Sequence, residues 1–64
     1  KMTEEEIVKW MKKRVEQKNF TDAAGLAREF LAEQNITDVM DPKFSMAMDA
    51  GFSLAETIAK VKQS

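Results

Sequence analysis

Trp10 stands among Lys9, Lys13, Arg14 and Gln17, an aromatic ring inside a basic patch at the spacing of helical neighbours. Turned outward, an indole beside arginine is the material of an interface hot spot. Turned inward, it would lie over a core edge with the Arg14 guanidinium stacked on its face. Both readings place the chemistry of this chain in recognition, because the residues catalysis needs are missing. The sequence holds no histidine and no cysteine, so Ser45, Ser53 and Ser64 have no imidazole to accept their protons. A metal would find neither thiolate nor imidazole ligands. Glu4, Glu5, Glu6 and Asp41 sit where helix starts call for carboxylates. The two glycines are isolated and form no phosphate-cradling loop. The expectation is a protein without enzymatic activity, cofactor or metal.

Five methionines in 64 residues offer a second kind of contact, since the flexible thioether adapts to irregular surfaces. Met46 and Met48 lie two apart and cannot share a helix face. With Phe44, Ala47 and Met48 facing inward, Met46 and Ala50 would point elsewhere. Trp10, Lys13, Arg14 and Met46 are therefore the candidate partner-binding residues.

These side chains must be positioned by helices, and the sequence predicts four, over about 3–18, 22–34, 42–50 and 54–62. Thr3 with Glu6 makes a capping box for the first. Its inward stripe is Ile7, Val8, Met11 and Val15, with acidic residues at the start and basic ones toward the end. Thr21 is the expected N-cap of the second, whose stripe is Ala23, Ala24, Ala27, Phe30 and Leu31, with Leu26 on the flank. Asn35 suits a left-handed stop, with Ile36 folding back. A turn at 37–41 should place Val39 and Met40 against the core. Asp41-Pro42 opens the third helix and Gly51 ends it; Ser53 with Glu56 starts the fourth. The fold class is all-α, a compact bundle of four short helices in a single domain spanning 1–64. Lys1 ahead of Met2 reads as an appended residue, with Met2 the expected natural start of a complete small protein. The expected core is Ile7, Met11, Val15, Phe20, Ala27, Phe30, Leu31, Phe44, Met48, Phe52, Leu54, Ile58 and Val61.

The stretch 44–62 also resembles a DNA-binding helix-turn-helix: Ala47 precedes Gly51 by four residues and Ser53 follows it by two. Ser53, Lys60 and Lys62 would then be the DNA contacts. The packing residue that motif places six after the glycine is here Thr57, and Lys60 and Lys62 are poor equipment for phosphate contacts. The run Met48-Asp49-Ala50-Gly51-Phe52-Ser53 partly resembles the Met-Gly-Phe-type loop of ubiquitin-associated domains. Ile58 and Val61 fall seven and ten positions after the glycine, as in that family. Ala50 stands where the family has methionine, and the likeness covers only 44–61. The plain reading is a helical corner with a glycine stop, and no family is assigned.

Charge sets the expected partner. Net charge is −1, yet residues 1–19 carry six basic and four acidic side chains, whereas 20–59 carry two and seven. An acidic body disfavours nucleic acid and favours a basic or apolar protein surface. No apolar run approaches a membrane span, and no signal-peptide pattern opens the chain. The expected function is that of a small regulatory, adaptor or inhibitory protein that occupies a partner's surface in the cytoplasm, with a bacterium or a phage as the expected source. Homodimerisation is a variant of that reading, because so small a core gains from association. The alternative is the helix-turn-helix.

Overall fold

The computed structural model describes residues 2–63; Lys1, read above as appended, and Ser64 lie outside them. Among the described residues there are four helices and no strand: α1 (Glu4–Glu16), α2 (Ala23–Glu33), α3 (Pro42–Ser53) and α4 (Ala55–Gln63).

Helix α1 starts as its sequence dictates. The Glu6 backbone N–H donates to the Thr3 hydroxyl, and the Thr3 backbone N–H donates to the Glu6 carboxylate at 3.0 Å. That second bond is the main cause of a lowered Glu6 pKa, because it favours the ionised carboxylate. Helices α1 and α2 end alike. Lys18 (φ 56°) and Asn35 (φ 58°) turn left-handed. The next N–H in each case, of Asn19 or Ile36, donates back to the carbonyl of Arg14 or Leu31 at 2.9 Å. Asparagine adopts that conformation readily; lysine does so at a steric cost of about 1 kcal/mol.

Two starts differ from the expectation. The cap of α2 is Asp22, whose carboxylate accepts the Gly25 N–H at 2.7 Å, and not its neighbour Thr21. Gly25 thus lies in the first turn. The start expected at Ser53 does not exist, because α3 continues through Gly51 to Ser53 in helical geometry. The Ser53 hydroxyl donates back to the Ala50 carbonyl at 2.7 Å, and α4 follows after the single residue Leu54.

Gly51 serves packing and not termination. A Cβ there would stand 2.9 Å from the Ala23 backbone carbonyl oxygen and 3.6 Å from the Ala27 methyl. The missing side chain lets α3 lie directly on the alanine side of α2. Helix α3 packs on both α1 and α2, and its buried side is Ala47, Ala50 and Gly51, leading to Leu54 at the joint. Ile7, Met11, Leu26 and Phe30 fill the centre and are fully enclosed. Burying side chains of this size stabilises by about 1.5–3 kcal/mol each. Helix α4 hangs on this core by Leu54 and Ile58, with Val61 half-buried.

The core therefore differs from the expected one on α3 and, at single positions, on α2, before it and on α4. Ala50 and Leu26 are inside. Phe20, Phe44, Met48 and Val61 are only half-buried, and Phe52 is 58% exposed. The turn at 38–41 forms, with Asp38 accepting the Met40 N–H at 2.9 Å, yet it holds Val39 65% and Met40 82% exposed.

Candidate functional site

Two aromatic surfaces could serve recognition, and they are built differently. The first is the shoulder of α1. One helical turn separates Trp10 from Arg14, and the guanidinium carbon lies 5.0 Å from the centre of the indole. The indole in turn meets Phe30 edge to face, with ring centroids 5.5 Å apart. Arg14 donates to the Glu29 carboxylate at 3.0 Å and to the Asn19 carbonyl at 3.2 Å. Its side chain is 24% exposed. Trp10 and Arg14 thus tie α1, the turn after it and α2 together, as the inward reading of the sequence expects. Lys13 beside them is exposed. Met46 lies on another helix and is half-buried against the core.

The second surface is a ridge on α3. Phe44, Met48 and Phe52 recur every four residues and so share one side of the helix. Phe44 and Met48 have one edge on the core, and Phe52 stands free of it. The preceding turn adds the exposed Val39 and Met40. Phe44, Met48 and Phe52 are expected in the core from sequence, because apolar side chains at helical spacing are usually covered. A signal was present nonetheless. Phe44, Met46, Ala47, Met48, Ala50 and Phe52 spread round most of α3, more than two neighbouring helices can cover.

The residues offered for DNA contact are not arranged as that reading requires. A helix-turn-helix needs a turn of three or four residues, and here one residue joins α3 to α4. Ser53 commits its proton to Ala50, and Lys60 pairs with Glu56 at 3.4 Å. Lys62 is exposed.

Two concavities on the surface of the described residues are both open to solvent. One, of about 530 Å³, runs along the outer face of α1 from Thr3 to Lys12, so its walls belong to one helix and its cap. The other, of about 260 Å³, lies between Lys18, Phe20, Val61 and Lys62. Among the described residues no group of three or more acidic side chains could hold a metal ion, and no helix is long and apolar enough to cross a membrane. No protein-family model, curated protein or solved structure matches the chain.

Proposed function

We propose that this protein is a binding module without enzymatic activity, which regulates or adapts another protein by occupying part of its surface. The observation that carries the reading is the exposure of Phe52, Val39 and Met40, which the half-buried Phe44 and Met48 join into one apolar ridge on a chain with few large apolar groups to spare. Trp10 and Arg14 are engaged within the fold, so the anchoring role moves from α1 to α3. Methionine between two phenylalanines gives a surface that is rigid at its ends and adaptable in its middle. We take its setting to be the cytoplasm, where a chain that relies on no disulfide can fold.

The test is to place a photoreactive phenylalanine analogue at Phe52 and irradiate in lysate of the source organism, with and without nuclease. The expected product is one dominant protein adduct that survives nuclease and is lost when Met48→Ala is added. Adducts to nucleic acid alone, or no adduct, would reject the reading.

A further inference from the structure

We propose that the α3 ridge receives a basic amphipathic helix of a different protein, an inference that rests on the protein-binding reading above. The ridge runs two turns, from Phe44 to Phe52, or about 12 Å at 1.5 Å per residue. Its backbone is hydrogen-bonded within α3, and the described residues include no strand edge on which an extended peptide could pair. What the ridge offers is side chains at four-residue spacing, which the ridges and grooves of another helix fit.

Charge selects the sign of that helix. Around the ridge stand Asp38, Asp41 and Asp49 against one lysine, Lys43, while Glu56 beyond it is paired with Lys60. Asp49 is exposed and lies one turn before Phe52 on the outer side of α3, whereas the lysine stands beside Phe44 at the opposite end of the ridge. Lysines or arginines flanking the apolar anchors of an incoming helix would therefore meet carboxylates. A second copy is a poor occupant on the same grounds. An identical ridge would bring only a single lysine, Lys43, to meet these carboxylates. The basic outer face of α1, with Lys9, Lys12 and Lys13, exposes no large apolar anchor to set against Phe52.

The experiment titrates the isotopically labelled full chain with two synthetic helical peptides, read by amide chemical shifts. Both carry leucine at i, i+3, i+4 and i+7; one has lysine at its other positions and the other glutamate. The lysine peptide is expected to shift amides across α3 and the turn before it. Asp49→Lys should weaken it roughly five- to tenfold, and Phe52→Ala about tenfold or more. Lys62→Glu, remote from the ridge, should not weaken it. Equal binding of the glutamate peptide, or shifts confined to α1, would overturn the proposal. So would a concentration-dependent dimer in sedimentation that Phe52→Ala dissolves, since the occupant is then a second copy. If Phe52 still photo-crosslinks a different protein while the lysine peptide leaves α3 unmoved, the partner's chemistry is wrong and the binding reading stands. If Phe52 captures no protein, both fall.

Discussion

Trp10 and Phe52 are both aromatic residues on amphipathic helices, and they differ in what the rest of the chain does for them. Trp10 has a cation on one face and a ring at its edge, and the cation is itself fixed by Glu29 and the Asn19 carbonyl. Phe52 has its helix beneath it and solvent over more than half of its surface. Burial of an aromatic is worth most where its neighbours are held independently of it, as they are at Trp10. On α3 the same side-chain class is left with its contact area unspent. One surface should therefore govern stability and the other association.

The largest effect is expected at the closed surface. Trp10→Ala removes the contact with Phe30 and the seat of Arg14, and should cost about 2–3 kcal/mol in urea unfolding. Next is the contact that places the ridge. Gly51→Ala gains about 1 kcal/mol of helix propensity but drives a methyl into the Ala23 carbonyl, which is backbone and cannot swing aside. A net loss of about 1–2 kcal/mol is expected in the same assay, with shifted amide resonances along both α2 and α3. Lys18→Gly should act in the opposite direction. It relieves the left-handed residue that closes α1 just beyond Arg14, and is expected to stabilise by about 0.5–1 kcal/mol in thermal unfolding. Phe52→Ala should change stability least, by no more than about 0.5 kcal/mol, while abolishing photo-crosslinking from a probe at Met48. If Phe52→Ala unfolds the protein or Trp10→Ala leaves its stability unchanged, the contrast between the two surfaces is lost.

The start of α1 sharpens the contrast through pH. The Glu6 pKa is lowered chiefly by the Thr3 backbone N–H, so the ionised form is the one the fold favours. Its contribution is present above the ordinary carboxylate range and is lost as pH falls through the lowered folded-state value. Thr3→Ala keeps that N–H and removes only the lesser contribution of the hydroxyl, so carboxyl titration by NMR should find Glu6 moved upward yet still below its usual pKa.

Local chemistry was legible in the sequence, and contacts between distant segments were not. Thr3 with Glu6, Asp41 with Pro42 and Asn35 with Ile36 each complete their hydrogen bonding within a few residues, so spacing alone identifies them. Gly51 looks the same in sequence whether it ends a helix or lets another backbone approach. The Ala23 carbonyl decides, and it lies 28 positions away. Thr21 and Asp22 are both good caps, and which one faces the Gly25 N–H follows from the path of the chain between α1 and α2. Lysine at the left-handed Lys18 carries no compositional mark. The ridge was hidden for a related reason, since hydrophobicity tells that Phe44, Met48 and Phe52 favour cover without telling whether this chain supplies it. Reading Trp10 and Arg14 as a possible stacked pair succeeded because i,i+4 proximity on α1 was enough.

The joint at Leu54 has a consequence for how the molecule breathes. Helix α4 is fastened by Leu54 at the joint and by Ile58, with Val61 half-buried, so detaching it exposes these side chains while Ile7, Met11, Leu26 and Phe30 belong to the helices that remain. Amide hydrogens of α4 should therefore exchange with solvent deuterium through a sub-global opening, whereas those of α1 and α2 wait for the whole chain to unfold. A protease acting on the native protein would then nick beyond Leu54 before it touched either surface compared above.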